Sequence, residues 1–412
     1  MVSTQPASDA PAVTVADVES ARELLRGVSR VTPLESSRAL AELVGGPVSL
    51  KCENLQRTGT FKIRGAFVRS ARLTAEQRAR GVVAASAGNH AQGVALAAQL
   101  TGCRATVYMP EGAPLPKVEA TLGYGAEVVL AGATVDEALV HALAHEERTG
   151  AVLVHPFDHV DIVAGQGTVG LELLEQRPDV RTVVVCTGGG GLVAGIAVAV
   201  KALRPDVRVV AAQASGAAAW PESLRAGHPV ALGAMRTMAD GIAVGRPGDV
   251  PFALVRDLVD EVVTVGDETL SRALLLCLER AKLVIEPAGA AAVGALLDAP
   301  AAFAPPVVAV LSGGNIDPLL LNKVIRHGLV AAGRFLSLRV TVPDAPGSLA
   351  RLLDALAGTG ANVLEVEHLR TRADLTLEEV EIALQVETRG PGHGAAVVAA
   401  LRGSGASDVR AG

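Results

Sequence analysis

Short apolar runs alternate with longer alanine- and leucine-rich stretches over most of the chain. Apolar runs without polar alternation are typical of strands buried on both faces of a parallel sheet, and the stretches between them have helical spacing. The strand candidates are GVVAAS, RATVYMP, AEVVLAG, AVLVHPF, TVVVC, RVVAAQA and PPVVAVLSGG. The pattern predicts a doubly wound α/β body from about Pro33 to Gly328.

The pattern changes after Gly333. FLSLRVTVP alternates apolar and polar residues, as a half-exposed strand does, and SLARLLDALAGTG has the spacing of an amphipathic helix closed by glycine. Two further strands and a last helix follow in NVLEVEHLRT, LEEVEIALQVET and AAVVAALRGSG. These segments predict a separate α+β unit of βαββαβ order, with a boundary between 328 and 334.

The predicted domains follow from these two patterns. Residues 1–15 are polar and proline-bearing, which predicts a disordered leader without a signal peptide. Residues 16–330 form the larger domain, and residues 335–412 form the last unit.

Charge and composition restrict the function. A net charge of -6 without a basic cluster, and only 2% aromatic residues, argue against nucleic acid as a partner. The four cysteines are too widely spaced for a metal clip, which favours a reduced, cytoplasmic setting. The longest apolar run, Thr182 to Val200, contains four glycines, so we expect a strand, a loop and a helix there and no membrane span.

Three glycine or small-polar turns follow predicted strands. Gly188 to Gly191 lie between a strand and a helix, where backbone N–H groups can bind an anion such as a phosphate; a tight turn is an equally good interpretation. SAGNHAQG, residues 86–93, also opens a helix, and Ser86 or Asn89 could simply cap it. LSGGN, residues 311–315, is the third such turn. Ligands bind at the carboxyl ends of strands in sheets of this kind.

Lys62 follows Phe61 in TGTFKIRG, between Gly59 and Gly65. By itself this lysine is more often a surface charge. Beside a phosphate-binding loop and polar strand ends, it is what a pyridoxal phosphate enzyme requires, because a lysine amine condenses with the cofactor carbonyl. On this hypothesis the two glycines leave room for a cofactor, and Arg64 is structural.

Six segments together resemble the threonine ammonia-lyase branch of the fold type II pyridoxal phosphate enzymes, the tryptophan synthase beta-like fold, over about residues 15–330. They are TGTFKIRGA, SAGNHAQGVA, HPFDHVDIVAGQGTVGLEL, CTGGGGLVAG, EPAGAAAVGAL and LSGGNID. The resemblance implies two parallel-sheet α/β subdomains, with the smaller one, at about residues 65–160, inserted in the larger. The tail resembles an ACT-type regulatory domain through VPDAPGSLARLL.

The resemblance implies a role for each matching residue. Lys62 would bind pyridoxal 5'-phosphate covalently and act with Ser86 in catalysis, while Phe61 would lie against the ring. Asn89 would contact the ring oxygen, Ser312 would face the ring nitrogen, and Glu286 would either support the cofactor or cap a helix. The phosphate would be bound by Gly188, Gly189, Gly190, Gly191 and Leu192, and the substrate carboxylate by Ser86, Ala87, Gly88, Asn89 and His90.

The implied reaction is β-elimination of L-threonine to 2-oxobutanoate and ammonia, the first step towards isoleucine. A broad catabolic L-serine/L-threonine dehydratase and a non-catalytic amino-acid sensor are the alternatives. The racemases of this fold carry a second serine where this chain has Ala87, so we expect elimination without efficient racemisation. They also bind a divalent metal through carboxylates where Gln213 and Ala219 align, so we expect no metal there.

The tail adds an expectation of regulation. Asp344, Pro346 and Gly347 lie at a predicted strand-to-helix turn, and Ser348 is placed to cap the helix from Leu349 to Leu356, with Asn362 starting the next strand. The resemblance implies a branched-chain amino-acid effector at this turn. A dimerisation module without a ligand is the alternative, and a homo-oligomer, dimer or tetramer, is expected in either case.

Overall fold

The computed structural model describes residues 13–370 and 375–411, and the chain divides into two compact units, residues 1–317 and 318–412. The division precedes helix Pro318–Ala331, which the sequence pattern had placed in the first body. Most of the predicted leader lies outside the described residues. Its last two residues belong to the first helix, where the Thr14 hydroxyl accepts a hydrogen bond from Asp17 N in a capping box.

The first unit contains thirteen α-helices among its described residues. They are α1 (Val15–Leu24), α2 (Arg38–Val44), α3 (Lys62–Ala71), α4 (Ala75–Arg80), α5 (Asn89–Thr101), α6 (Leu115–Gly123), α7 (Val135–Thr149), α8 (Val160–Gln176), α9 (Gly191–Leu203), α10 (Ala219–Ala226), α11 (Asp249–Leu258), α12 (Asp267–Leu276) and α13 (Ala291–Asp298).

Two sheets organise the first unit, one for each of the two subdomains that the family resemblance implies. The larger has the order β1-β2-β10-β7-β8-β9, in which every pair is parallel except β1 with β2. The smaller has the order β5-β4-β3-β6 and is parallel throughout. The ten strands are β1 (Leu34–Ser36), β2 (Val48–Cys52), β3 (Val82–Ala85), β4 (Ala105–Met109), β5 (Glu127–Leu130), β6 (Val152–Leu153), β7 (Thr182–Cys186), β8 (Arg208–Ala214), β9 (Glu261–Val265) and β10 (Val307–Leu311).

The central strands of both sheets are fully buried. All residues of β3, β7 and β10 are buried, which accounts for their continuous apolar sequences. The apolar run from Thr182 forms β7 and α9, joined by the glycine loop, so the expectation of a strand, a loop and a helix is confirmed. The pattern missed β1, β2 and β9: β1 is only three residues long, β2 carries Lys51, and β9 is half-exposed.

The second unit has the predicted βαββαβ order, preceded by α14 (Pro318–Ala331). Its elements are β11 (Phe335–Pro343), α15 (Ser348–Thr359), β12 (Asn362–Leu369), β13 (Glu379–Glu387), α16 (Pro391–Gly403) and β14 (Asp408–Ala411). The sheet is antiparallel with the order β12-β13-β11-β14. Its core is aliphatic and includes Val340, Leu352, Ile382, Val397 and Leu401.

Candidate active site

Lys62 is the first residue of helix α3, and Phe61 is the N-cap. The Phe61 N–H donates to the carbonyl of Ser312, at the end of β10, over 3.3 Å. This bond joins the lysine segment directly to the larger sheet. The Lys62 ammonium lies 5.1 Å from the centroid of the Phe61 ring and donates to the carbonyl of Pro156 over 2.9 Å.

The surroundings of Lys62 favour its neutral form. Loss of hydration lowers the pKa of the Lys62 ammonium to about 8, although Glu286 and Cys186 act in the opposite direction. A desolvated lysine of this kind is a nucleophile and a base at a pH where an ordinary surface lysine is a cation. The sequence could not show this, because the pKa depends on groups far away in the chain.

The small-polar turn after β3 presents its backbone at the carboxyl end of the smaller sheet. The Ser86 hydroxyl accepts from Gly88 N over 3.2 Å, and Gly88 is the N-cap of α5 without a side-chain capping bond. The helix-capping interpretation of Ser86 and Asn89 is therefore wrong. Because no side chain accepts at the cap, the first backbone N–H groups of α5 remain available to another acceptor.

His90 turns its imidazole away from the turn. Its Nε2 lies 2.7 Å from the carbonyl of Val154, and burial, followed by repulsion from Lys62, lowers the pKa of His90 to about 3. The ring is therefore neutral, and Nε2–H donates to the carbonyl, which can only accept. His90 can take part in binding at the turn through its backbone, while its side chain holds the segment after β6.

Asn89 connects the turn to the larger sheet. Its Nδ2 donates to Glu286 Oε1 over 2.6 Å, and its Oδ1 accepts from Asn315 Nδ2 over 2.9 Å. Asn315 also donates to the carbonyl of Thr58 over 2.6 Å, just ahead of the lysine segment. Asn315 is a candidate site residue that the sequence analysis gave no role, although it ends the LSGGN turn quoted above.

Glu286 lies buried beneath Asn89. It precedes a short 3₁₀ helix, 287–290, without capping it through its side chain, so the contact with Asn89 replaces the capping interpretation. Burial, followed by repulsion from Asp240, raises the pKa of the Glu286 carboxyl to about 7, while the Asn89 hydrogen bond opposes this shift. The group can therefore exist in either protonation state near neutral pH.

The glycine loop between β7 and α9 is enclosed by large side chains. A Cβ atom on Gly189 would collide with the ring of Phe157, and one on Gly190 would collide with Trp220. Gly190 also has φ +100°, which favours glycine. Leu192, in the first turn of α9, is buried. The loop therefore requires glycine for close packing on its outer side.

The hydrogen bonds of this loop orient its amides. Trp220 Nε1 donates to the carbonyl of Gly188 over 2.7 Å, and Gly248 N donates to that of Gly189 over 3.1 Å. In a trans peptide the N–H points opposite to the carbonyl, so the amides of Gly189 and Gly190 point away from these donors. Amides so presented at the start of a helix form an anion site.

Ser312 follows β10 directly and is buried. Its neighbour is Cys186, at the end of β7. Burial raises the pKa of the Cys186 thiol to about 11, while a hydrogen bond with Ser312 acts in the opposite direction. Both groups are therefore uncharged near neutral pH, and the site offers a neutral hydroxyl at this strand end.

Two expectations about the lysine segment are corrected and one is confirmed. A Cβ on Gly65 would lie 2.8 Å from the carbonyl of Ile162 in α8, and one on Gly59 would collide with Asn315. These glycines allow close backbone packing and do not leave room for a cofactor. Arg64 is structural as expected: it is fully buried and paired with Glu53 and Glu172 at 2.8 and 2.6 Å.

Three positions carry the expectations drawn from the racemases of this fold. Ala87 lies in the turn after β3, between Ser86 and Gly88. Gln213 is buried in β8, and its Oε1 accepts from Trp220 N over 3.1 Å, while Ala219 begins α10. Within residues 13–370 and 375–411 no group of three His, Cys, Asp or Glu side chains is arranged to hold a metal.

The second unit contains a cavity of about 450 Å³ at the turn between β11 and α15. Asp344, Pro346, Gly347 and Ser348 line it, together with Arg370, whose guanidinium pairs with Asp344 at 3.1 Å. The predicted cap is wrong: Gly347 is the N-cap, and Ser348 lies within the helix and accepts from Arg351 over 3.1 Å. β12 begins at Asn362, as expected.

None of the helices described is long and apolar enough to cross a membrane. The four cysteines are all free thiols.

Comparison with known proteins places these features in a family. The model of the family described as "Pyridoxal-phosphate dependent enzyme" matches residues 25–313. A protein of Thermotoga maritima named L-threonine ammonia-lyase is 47% identical over 381 residues, which cover 92% of this chain and 95% of that protein.

Two solved structures have a similar fold over most of this chain. The processed form of threonine deaminase isoform 2 from Solanum lycopersicum is 33% identical, with a TM-score of 0.74, and covers 80% of this chain and 94% of its own. Maize serine racemase is 37% identical, with a TM-score of 0.72, and covers 78% of this chain and 99% of its own.

Proposed function

Because this chain belongs to the family of pyridoxal-phosphate dependent enzymes, we propose that it converts L-threonine to 2-oxobutanoate and ammonia by β-elimination. The observation that carries the proposal is the meeting of one desolvated amine, Lys62, with three strand-end turns at a single site. The near-complete alignment with a relative named L-threonine ammonia-lyase supports the choice of substrate.

The residues present fit pyridoxal 5'-phosphate. Lys62 supplies an amine that is neutral near pH 8, and the amides of Gly189 and Gly190 suit a phosphate. The Asn89 amide has a second hydrogen beyond the one given to Glu286, which suits an acceptor on the ring. Ser312 adds an uncharged hydroxyl for the ring nitrogen.

The chain's own residues then have defined tasks. The backbone of the turn from Ser86 to His90 binds the substrate carboxylate, and Asn89 and Glu286 hold that turn in place. Lys62 removes the proton from the substrate Cα, for which it must be in its neutral form. When bound, the cofactor withdraws electrons from Cα.

The reaction releases one water molecule in the elimination and takes up one in the hydrolysis that follows. Removal of the Cα proton and of the β-hydroxyl of threonine releases water, and the released enamine takes up water to give 2-oxobutanoate and ammonia. Ser312 would face the ring nitrogen with an uncharged hydroxyl, and a cofactor held in this way would be a weaker electron sink, which favours rapid elimination over transamination.

The direct test is the release of 2-oxobutanoate from L-threonine by the purified holoenzyme. The ratio of kcat/KM for threonine and serine decides between a threonine enzyme and a broad dehydratase, since one methyl group is worth only about 1–3 kcal/mol of discrimination. A colourless protein without lyase activity would support the alternative of a non-catalytic amino-acid sensor and contradict the proposal.

We expect elimination to exceed racemisation because Ala87 has no proton to give to the opposite face of Cα. Substantial conversion of L-serine to D-serine would contradict this. A divalent requirement is not expected at Gln213, since its Oε1 already accepts from Trp220 and it carries no negative charge. Loss of activity in a chelator, restored by Mg²⁺, would contradict that expectation.

We further propose that the second unit is a regulatory ACT-like domain that binds a branched-chain amino acid, so that the enzyme serves isoleucine synthesis. The cavity between β11 and α15 supports this, because it combines apolar walls with the Asp344–Arg370 pair. A homo-oligomer, dimer or tetramer, is expected and is tested by light scattering of the purified protein.

A further inference from the structure

An ion pair links the two subdomains of the first unit beside the substrate turn. Lys117 belongs to α6, next to the smaller sheet, and Asp240 begins a 3₁₀ turn, 240–242, in the part of the chain that follows β8. Lys117 Nζ lies 3.2 Å from Asp240 Oδ2, and the two side chains are 20% and 62% exposed. Neither residue was singled out in the sequence.

The Lys117 ammonium lies against the turn to which the substrate carboxylate is assigned. A Cβ atom placed on Gly88 would lie 3.9 Å from Lys117 Nζ. Gly88 is the N-cap of α5, so the ammonium adds a full positive charge to the partial positive charge of the helix start. Two sources of positive potential thus meet at one backbone turn.

The Asp240 turn packs against the other parts of the site. A Cβ on Gly188, in the glycine loop, would lie 3.0 Å from Ile242 Cα, and one on Gly241 would lie 3.0 Å from Ala288 Cβ, beside Glu286. Both members of the pair also act on the buried Glu286: Asp240 raises the pKa of its carboxyl, and Lys117 lowers it.

An ordinary surface pair would not have these neighbours. Arg246 and Asp249, for example, pair at 2.7 Å within three residues of each other, on side chains that are both about half-exposed. Exposed pairs of that kind contribute about 0–1 kcal/mol to stability. Lys117 and Asp240 instead join two segments 123 residues apart in the chain.

We propose that Lys117 is a positioning residue for the substrate carboxylate and that the carboxylate displaces Asp240 as its partner when substrate binds. This rests on the proposed function, because it takes the Ser86–His90 turn as the carboxylate site. The exchange conserves charge, since one carboxylate replaces another at the same ammonium. It makes the site select ligands that carry an α-carboxylate.

The test compares two ligands that differ only in that group. L-2-aminobutanoate has the carboxylate and lacks a leaving group on Cβ, and n-propylamine is the same amine without the carboxylate. Their Kd values are measured on the holoenzyme from the change in its absorption spectrum, so the measurement does not depend on turnover.

For Lys117→Met we expect the Kd of 2-aminobutanoate to rise about tenfold, which is about 1.4 kcal/mol, while that of propylamine stays within about twofold. The KM for threonine should rise similarly, with kcat changed by less than about threefold. Lys117→Arg should restore most of the affinity. Asp240→Asn should lower the Kd of 2-aminobutanoate, because the ammonium no longer has a competing partner.

Arg246→Met is the matched control, and both Kd values should equal those of the wild type. Equal losses for the two ligands in Lys117→Met, or weaker binding of 2-aminobutanoate in Asp240→Asn, would overturn the proposal. If Lys117→Met does not fold, the Kd values of 2-aminobutanoate for Lys117→Arg and Asp240→Asn still test the proposal. A wild-type enzyme that releases no 2-oxobutanoate refutes the proposed function, whereas the two Kd values test Lys117 separately.

Discussion

The reactivity of Lys62 comes from its surroundings and not from its immediate sequence. The ammonium donates to one backbone carbonyl, faces the Phe61 ring and lies near buried Glu286. Desolvation exceeds the attraction of Glu286, so the pKa of Lys62 falls to about 8. Burial that lowers the pKa of an amine and raises that of a carboxyl reduces the stability of the folded chain at pH values where both groups would otherwise be charged.

Because of Glu286, the stability of the folded chain depends on pH. Its pKa is about 7 in the folded chain against an ordinary value of 4.5, so folding disfavours its ionised form. As pH rises from about 4.5 to 7, the unfolded chain ionises first, and the stability of the folded chain falls. Above pH 7 this loss of stability no longer increases.

Replacing Glu286 with Gln should remove this dependence. Glu286→Gln keeps an oxygen that can accept from Asn89 but cannot ionise, so the melting temperature of the cofactor-free protein should exceed that of the wild type by more at pH 8 than at pH 5. Glu119→Gln, at an exposed position in α6, is the control, and its difference in melting temperature from the wild type should be the same at both pH values. A Glu286→Gln difference that does not depend on pH would contradict the assigned pKa.

At the scale of elements, a buried ion network joins the helix of Lys62 to its neighbours. Arg64 in α3 pairs with Glu53 and with Glu172 of α8, and Glu172 also pairs with Lys51 of β2 at 2.6 Å. All four residues are buried. Although burial alone would lower it, Glu53 and Glu172 raise the pKa of Arg64, so its charge persists.

Arg64→Met should therefore destabilise the protein strongly. It leaves Glu53 and Glu172 with fewer positive partners in the core, and breaking a buried pair costs about 3–5 kcal/mol. Arg22→Met is the control: its partner is Glu175, both side chains are well exposed, and the loss should stay below about 1 kcal/mol. Denaturant unfolding measures both changes, and similar losses would show that the network does not stabilise α3.

The same network shows where prediction from sequence stops. The strands with continuous apolar runs, such as β7 and β10, were predicted, because their local pattern contains the information. β2 was missed because Lys51 interrupts its apolar run, and the residue that neutralises it, Glu172, lies 121 positions away. A local pattern does not reveal a partner at that distance.

The site shows the same limit. Lys62, Asn89, Ser312 and the glycine run were found because each lies in a distinctive motif. Asn315 was quoted without a role, and Lys117 and Asp240 were not singled out, because their functions depend on contacts between distant segments. Sequence therefore singled out the candidate groups of the site, while the structure was needed for the contacts between them.

At the scale of the whole molecule, the chain combines a unit that carries the chemistry with a second, separate unit. The order of elements in the second unit was predicted correctly, but the boundary was placed too late, after α14. The amphipathic sequence of α14 resembles the helices before it, so periodicity alone could not assign it to one unit.

Filling the cavity of the second unit should uncouple the enzyme from its effector. Isoleucine and valine are titrated against threonine turnover in the full chain, in Ala345→Leu, where the new side chain enters the cavity, and in Ala357→Leu, an exposed helix position outside it. In Ala345→Leu we expect the response to the effector to weaken by about tenfold or more, which is a loss of about 1.4 kcal/mol in the coupling free energy. In Ala357→Leu the response should be unchanged. Identical responses in all three proteins would reject this cavity as the regulatory site.

The central claim is that Lys62 is the amine that binds the cofactor and acts on the substrate. It is tested most directly by reducing the holoenzyme with borohydride, which fixes the cofactor on its lysine, and then locating the labelled peptide by mass spectrometry. The account predicts one label, on Lys62, and the loss of 2-oxobutanoate formation from L-threonine in parallel with labelling. A label on any other residue, or a fully active protein without a label, would contradict it.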